Sequence, residues 1–401
     1  MLYGTYFFIF DKEYSKGECM KRKVSIVLVL MLMFGLMLIP HKIITADASF
    51  ESNVNYKSAV LIEKNSNEIL FENNCHERLP IASVTKLMTI LLTMEKIGSN
   101  EISLDDKVMV SATASGMGGS QVFLDYEEEY YLKDLLKSVI IASANDSSVA
   151  IAEHIAGSEN NFVKMMNERA KELNLLDTNY VNCTGLPSPD GYSSAYDQAI
   201  VLKHVLDFDL YHEYSSIWME DFVHPSGRTT QMANTNKLSR FYEGCMGGKT
   251  GSTNQAKYCL AVGASRNDVE LISVVLGAED SKGRFKLSSD LLNYGFENFE
   301  TKTLFDNSML KDKTIKIKGL DRVTHLKAER DFTYVCKIGE DVNFSLNYNL
   351  PNMLTKVYEN QVVGNVEIVI DGVVVDKINI LSTETHEEVT VWDYIKEITN
   401  S

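Results

Sequence analysis

Apolar and polar positions alternate along residues 56–72 on either side of the Asn65-Ser66-Asn67 segment, a pattern that predicts two strands joined by a turn. From residue 83 to 97 the period changes, and apolar residues leave almost no polar face, which predicts a helix surrounded by protein. Helical periodicity returns in four later stretches, which are residues 132–143, 149–157, 162–174 and 195–207. The chain therefore begins with a hairpin and continues into a helical middle.

Two strand-like runs follow the helical middle, at residues 256–265 and 270–279, and the Arg266-Asn267-Asp268 segment joins them as a turn. A helix is predicted after them, over residues 287–299. Strands from both ends around a helical middle predict one α+β domain whose sheet is assembled from the two ends of that domain.

Beyond about residue 300 the chain changes to short alternating segments separated by Gly and Asn, which predicts a small all-β domain. This part contains no candidate acid/base constellation, so we expect it to act as a spacer or an interaction domain. The predicted division of the chain is a leader over 1–48, a catalytic domain over 49–300, the β-rich domain over 301–388 and a short tail over 389–401.

Composition narrows the class of protein. The chain has 401 residues, of which 45% are apolar, enough for more than one packed core. Its formal net charge of -16 argues against a nucleic-acid partner, because phosphate binding needs clustered Lys and Arg. Five cysteines follow the leader, none in a C-x-x-C pair, so neither a metal site nor a disulfide framework is expected.

The N-terminus has the features of a secretory signal peptide. Lys21-Arg22-Lys23 precede an apolar run over residues 24–39, and Ala46-Asp47-Ala48 offers a small-x-small cleavage site. An uncleaved membrane anchor is the alternative, and both place the rest of the chain outside the cytoplasm. The tail at 389–401 has one apolar helical face, which is marginal for peripheral membrane contact.

Lys86 is the unexpected residue in the apolar helix at 83–97. Burial lowers the pKa of a lysine, and on a helix Ser83 and Lys86 share a face. Ser83 lies near the helix N-terminus, where free backbone N–H groups favour a developing oxyanion, so a neutral Lys86 could activate it as a nucleophile. Alone the S-x-x-K spacing is a weak signal, because a capping serine and a lysine extending toward solvent would give it too.

Two further elements strengthen this interpretation. Ser143-Ala144-Asn145 lies between two predicted helices, and Lys249-Thr250-Gly251 leads into a predicted strand with Gly247-Gly248 before it. The glycines would allow a substrate backbone to approach the strand closely. S-x-x-K, an S-x-N type element and K-T-G occur together in class A β-lactamases and penicillin-binding proteins.

The sequence resembles the low-molecular-mass penicillin-binding proteins that act as serine D-alanyl-D-alanine carboxypeptidases. Beyond the three motifs, the resemblance includes residues 79–89, 167–187, 193–199, 234–238 and 249–265, and it extends from about 49 to 390. It implies a β-lactamase/transpeptidase-like catalytic domain, an antiparallel sheet with helices on both sides, followed by a β-rich domain. It also implies peptidoglycan stem peptides as substrates, β-lactam antibiotics as covalent inhibitors, and no metal or other cofactor.

The resemblance also assigns roles to residues. Ser83 would be the acylated nucleophile, Lys86 its general base and Ser143 a proton relay. The substrate-binding residues would be Asn145, which holds Lys86 and a substrate amide, Lys249, Thr250 and Gly251 on the carboxylate-binding strand, and Ser252, whose N–H would join that of Ser83 in an oxyanion hole.

Three positions bear on the alternatives. Gly191 and Met246 replace residues usual in the family, which puts substrate fit and loop order in question. A class A β-lactamase needs a glutamate to activate the deacylating water, and Ala170 occupies the corresponding place. A D,D-endopeptidase acting on cross-linked peptidoglycan would use the same site, and a non-catalytic wall-binding protein is a further alternative.

Overall fold

The computed structural model describes residues 50–318 and 322–388. The predicted leader at 1–48 and the predicted tail at 389–401 lie outside these residues. Within the described part of the chain, no helix is both long and apolar enough to cross a bilayer.

A five-stranded antiparallel sheet forms the centre of the larger unit, with the strand order β2-β1-β9-β8-β7. Its strands are β1 (Ser58–Glu63), β2 (Ile69–Asn73), β7 (Cys245–Thr253), β8 (Lys257–Arg266) and β9 (Val269–Ala278). Both ends of the unit therefore contribute strands, as the sequence predicts. Strand β7, which contains Lys249-Thr250-Gly251, lies at one edge of this sheet.

Two short hairpins accompany the central sheet. One pairs β3 (Lys107–Met109) with β4 (Glu129–Tyr131), and the other pairs β5 (Met219–Val223) with β6 (Thr229–Ala233).

Helices cover both faces of the central sheet. They are, in chain order, α1 (Lys86–Gly98), α2 (Ala112–Ser115), α3 (Leu132–Ile141), α4 (Asn145–Ala156), α5 (Glu159–Glu172), α6 (Ala195–Val205), α7 (Asp209–Ser216), α8 (Leu238–Phe241) and α9 (Ser281–Asn298). Strand β1 shows the two-sided burial in its residues. Val60 and Ile62 pack in one hydrophobic cluster with the helical middle, whereas Ala59 and Leu61 pack in another with α9. Residues 59–62 form a continuous apolar run, so the alternation predicted for residues 56–72 is wrong within β1, because this strand is buried on both faces.

Four helix starts differ from the sequence prediction. Helices α4 and α5 begin at Asn145 and Glu159 rather than at residues 149 and 162. Residues Ala82–Thr85 form a short 3₁₀ turn, and the α-helix begins only at Lys86. Helix α9 begins at Ser281 rather than 287, because the Asp280 side chain accepts a hydrogen bond from the Gly283 N–H and caps an earlier start.

The last described part of the chain, from residue 299 to 388, is all-β. It contains β10 (Phe299–Phe305), β11 (Thr314–Ile317), β12 (Arg322–Ala328), β13 (Phe332–Lys337), β14 (Phe344–Asn349), β15 (Met353–Leu354), β16 (Val362–Ile370) and β17 (Val373–Ser382), with a 3₁₀ turn at Asn307–Leu310. Strands β10 and β13 pair with each other, and the rest form a sheet in the order β14-β16-β17-β12-β11-β15. Strand β10 includes residues 300 and 301, so it spans the predicted domain boundary between them, and that boundary stays a prediction.

Candidate active site

Ser83 lies in the 3₁₀ turn that precedes α1, between the apolar core and the edge strand β7. The residue before it, Ala82, is buried and has a positive φ of 48°. Such a backbone conformation is costly for a non-glycine residue and persists only where the surroundings impose it. Here Gly185 packs closely against Ala82, since a Cβ on Gly185 would lie 1.9 Å from the Ala82 carbonyl oxygen. The turn that contains Ser83 is therefore stabilised by packing against the loop at Gly185.

Lys86 begins α1 with its side chain fully buried. Its Nζ lies 3.1 Å from Ser83 Oγ, and it donates hydrogen bonds of 2.6 Å to Asn145 Oδ1 and 2.6 Å to the Thr184 carbonyl oxygen. Burial lowers the pKa of Lys86 to about 7, although the nearby thiol of Cys183 and carboxylate of Asp146 act in the opposite direction. A large fraction of Lys86 is therefore neutral near pH 7.

Ser143 and Asn145 lie on the turn between α3 and α4. Ser143 has a positive φ of 62°, and its buried Oγ has no hydrogen-bond partner among the described residues. Asn145 is the first residue of α4, and its amide joins two parts of the site: Oδ1 accepts from Lys86, and Nδ2 donates to the Gly118 carbonyl oxygen at 2.6 Å. A buried hydroxyl without a partner is rare in proteins and marks a place where a ligand or water would complete the bonding.

Asp146 fixes the loop that faces this turn. Its carboxylate accepts backbone N–H groups from Val122 and Leu124, each at 3.1 Å, and from Ser147 at 2.9 Å. Burial raises the pKa of Asp146, and these backbone donors counteract the rise. Two adjacent residues of α4 therefore bind the loop after Gly118. Asn145 bonds to the Gly118 carbonyl oxygen, and Asp146 bonds to the backbone N–H groups of Val122 and Leu124.

Strand β7 brings the K-T-G segment against the nucleophile. A Cβ on Gly251 would lie 2.6 Å from the Ile81 carbonyl oxygen and 3.0 Å from the Ser83 backbone nitrogen, so only glycine fits. Lys249 and Thr250 are buried, and Ser252 is exposed. Along β7, Lys249 and Thr250 therefore precede the residue that contacts Ser83, and Thr253 follows it.

Lys249 is a buried cation without a carboxylate partner among the described residues. Its Nζ donates to the Thr250 carbonyl oxygen at 3.1 Å. Burial, with the repulsion of Lys86 and Arg284, lowers the pKa of Lys249 well below its usual value. A bound carboxylate would raise this pKa again, because it would give Lys249 the partner that it lacks among the described residues.

Two groups at the site were not identified from the sequence. One is the Thr184 carbonyl, which accepts from Lys86; the other is Arg284, whose Nη1 donates to the carbonyl oxygens of Gly251 at 3.0 Å and Cys259 at 3.2 Å. Arg284 is buried in α9. The helix predicted from the sequence begins only at residue 287 and so does not include Arg284, and a backbone carbonyl has no signal in the sequence.

The two positions that depart from the family pattern, and Ala170, lie in different surroundings. Gly191 is close to Val181, because a Cβ there would lie 2.9 Å from Val181 Cγ2. The Met246 carbonyl oxygen is within 2.9 Å of His212 Nδ1, so this residue is held through its backbone. Ala170 is buried in α5 and offers no carboxylate to the site.

Comparison with known proteins shows the family of the chain. A family profile described as D-alanyl-D-alanine carboxypeptidase matches residues 44–280, and one described as the C-terminal domain of penicillin-binding protein 5 matches residues 299–388. The chain is 39% identical to D-alanyl-D-alanine carboxypeptidase DacF of Bacillus subtilis, over 81% of this chain and 83% of the relative. It is 32% identical to DacC of Escherichia coli, over 86% of this chain and 88% of the relative.

A solved structure gives the same result. Penicillin-binding protein 5 from Haemophilus influenzae superposes with a TM-score of 0.70 at 30% identity, over 85% of this chain and 100% of that one. The fold is therefore the transpeptidase-like one that the resemblance predicts, with an all-β domain after it. The chain belongs to the D-alanyl-D-alanine carboxypeptidase family.

Proposed function

We propose that this carboxypeptidase removes the terminal D-alanine from peptidoglycan pentapeptide stems through an acyl-enzyme on Ser83. The observation that carries the proposal is the bonding of Lys86. A neutral amine has two N–H donors and one lone pair. The two close acceptors, Asn145 Oδ1 and the Thr184 carbonyl, account for both donors and leave the lone pair for the Ser83 hydroxyl.

Acylation follows from this arrangement. Lys86 takes the Ser83 hydroxyl proton while Oγ bonds to the carbonyl carbon of the penultimate D-alanine. The backbone N–H groups of Ser83 and Ser252 stabilise the resulting oxyanion. The C–N bond to the terminal D-alanine then breaks, and the departing amine receives a proton through Ser143.

The terminal carboxylate is bound by Lys249 and Thr250 on β7. The absence of a carboxylate partner for Lys249 among the described residues supports this role, as does the buried cation Arg284 behind the strand. Recognition of a free carboxylate would restrict the enzyme to chain ends, which is the property of a carboxypeptidase.

Deacylation needs a water molecule. Lys86 and Ser143 would prepare it to attack the ester once D-alanine has left, which releases the shortened peptide and restores the Ser83 hydroxyl. β-Lactams would acylate Ser83 by the same first step. Because Ala170 supplies no carboxylate base, hydrolysis of the drug is not favoured. The comparisons likewise do not favour endopeptidase activity.

The location of the enzyme follows from its substrate and its N-terminal sequence. Peptidoglycan lies outside the cytoplasmic membrane, and the predicted signal at 1–48 would export the chain to it. The tail at 389–401 would add a peripheral membrane contact.

The test is incubation of the chain from Ser49 onward with a pentapeptide ending in D-alanyl-D-alanine. Release of one D-alanine per peptide, lost in Ser83→Ala, is expected. Cleavage only of cross-linked dimers would instead assign the endopeptidase activity, and no cleavage of either substrate would contradict the proposal.

A further inference from the structure

One face of α1 binds two consecutive carbonyl groups of a distant loop. Lys86 Nζ donates to the Thr184 carbonyl oxygen at 2.6 Å, and the Thr89 hydroxyl donates to the Cys183 carbonyl oxygen at 2.8 Å. Residues three apart on a helix lie on the same face, so the two donors are neighbours. We call residues 182–185, which contain both carbonyl groups, the acceptor segment.

The acceptor segment lies outside the helices and strands, so no regular backbone pairing fixes it. Cys183 and Thr184 are buried, and buried backbone groups need hydrogen-bond partners. Asn182 supplies partners locally, because its Oδ1 accepts the backbone N–H groups of Thr184 at 3.2 Å and Gly185 at 2.6 Å. The backbone groups of Cys183 are instead bonded to side chains from two helices.

Glu159, the first residue of α5, supplies the second of these contacts. Its Oε1 accepts the Cys183 backbone N–H at 3.0 Å and lies 3.2 Å from Cys183 Sγ. Burial and the carboxylate of Glu159 raise the pKa of the Cys183 thiol well above its usual value, so the thiol keeps its proton and donates to this oxygen. Glu159 and Thr89 therefore bind the N–H and the carbonyl of one residue.

The position of the Thr184 carbonyl determines how Lys86 can act. A neutral amine has two N–H donors and one lone pair. If this carbonyl moved away, the amine could rotate, and its lone pair would no longer be directed at Ser83 Oγ. A carbonyl acceptor also favours the charged form of the amine, so its loss would lower the pKa of Lys86 below about 7.

We propose that Glu159 and Thr89 are positioning residues for the reaction, because they fix Cys183 so that the next carbonyl in the chain accepts from Lys86. The proposal rests on the proposed function, since it takes Lys86 to be the base that activates Ser83. Both residues act through the acceptor segment and not on the substrate.

The first test measures acylation by fluorescent penicillin between pH 5 and 9 in Thr89→Val. The plateau rate should fall about tenfold, and the midpoint of the pH profile should move about half a unit to one unit lower, because the carbonyl affects both the placement and the pKa of Lys86. Thr89→Ser keeps the hydroxyl and should restore both values. Thr93→Val is the matched control, since this buried hydroxyl on the same helix donates to a carbonyl within α1.

Glu159 provides an independent test that needs no substitution in the core, because its side chain is only half-buried. Glu159→Ala should lower the plateau and the midpoint as Thr89→Val does. Glu159→Gln keeps an oxygen that can accept the Cys183 N–H, so it should restore most of the plateau rate. Glu168→Ala is the control, because it removes an exposed glutamate from the same helix.

A lower plateau with an unchanged midpoint would show that the substitutions only disturb the structure, and it would overturn the proposal. Variants that match their controls would overturn it as well. In either case the proposed function stands if the wild-type chain is labelled on Ser83 and its labelling rate rises through about pH 7. A wild-type chain that is not labelled on Ser83 would instead contradict the proposed function itself.

Discussion

The Nζ of Lys86 lies 3.1 Å from the Oγ of Ser83, although Lys86 is fully buried at the start of an otherwise apolar helix. Burying a lysine disfavours its charged form. Two other atoms accept hydrogen bonds from the Lys86 amine, Asn145 Oδ1 and the Thr184 carbonyl oxygen, and they hold it in place without a carboxylate. The arrangement explains why a lysine interrupts this apolar segment: it is positioned as a base.

Replacing Lys86 tests this explanation. In Lys86→Met, acylation by fluorescent penicillin should fall by at least about a thousandfold, because the base is lost from a catalytic unit. The control is Lys96→Met on the same helix, where the lysine pairs with Glu101 at the surface. Near-normal labelling of a folded Lys86→Met, with folding verified by circular dichroism, would show that Lys86 is structural.

The pH dependence of acylation follows from the same residue. The pKa of Lys86 is lowered to about 7, and only its neutral form can accept the Ser83 proton. The acylation rate should therefore fall about tenfold per pH unit below about 7 and level off above it. Stopped-flow acylation between pH 5 and 9 measures this, and a rate independent of pH across that range would exclude Lys86 as the base.

Local pattern in the sequence predicts that Ser83 and Lys86 lie side by side, and the structure places their side chains 3.1 Å apart. Their spacing places them on one face of a helix, and the apolar neighbours of Lys86 indicate burial. The structure corrects one detail, because Ser83 lies in a 3₁₀ turn rather than in the α-helix. Residues three apart nearly eclipse each other in a 3₁₀ turn, so the pairing predicted from helical spacing is retained.

Contacts between distant parts of the chain could not be read from the sequence. The Thr184 carbonyl is 98 residues from Lys86, and Arg284 is 33 residues from Gly251. Neither a backbone carbonyl nor a single arginine has a periodic signature. The strained turn at Ala82 was missed for the same reason, since its cause is the approach of Gly185 from a separate loop. The fold class was predictable because strand and helix periodicity is local.

The free carboxylate of the substrate should matter strongly. Amidating the C-terminus of the peptide should lower kcat/KM by about one to two orders of magnitude, because a charge-assisted contact is lost and Lys249 remains unpaired. Release of the terminal residue from both peptides can be followed by mass spectrometry. In Lys249→Met the acid-to-amide ratio should shrink, and an unchanged ratio would show that another group reads the carboxylate.

The fate of the two acyl-enzymes should differ. The benzylpenicillin adduct should be long-lived while the peptide acyl-enzyme turns over, because the opened ring stays attached and obstructs water, whereas D-alanine leaves. The buried Ala170 provides no carboxylate that could activate water past the obstruction. Intact-mass spectrometry after removal of excess drug follows the adduct. Its rapid loss with accumulation of hydrolysed drug would indicate a β-lactamase.

The identity of the acylated residue is the central claim, and peptide mapping of the penicillin adduct tests it most directly. After brief treatment with benzylpenicillin and proteolysis, the added mass should lie on Ser83, and Ser83→Ala should carry none. Ser143 is the informative comparison, because it is another serine of the site and its buried hydroxyl has no partner among the described residues. An adduct on Ser143, or one that persists in a folded Ser83→Ala, would contradict the account.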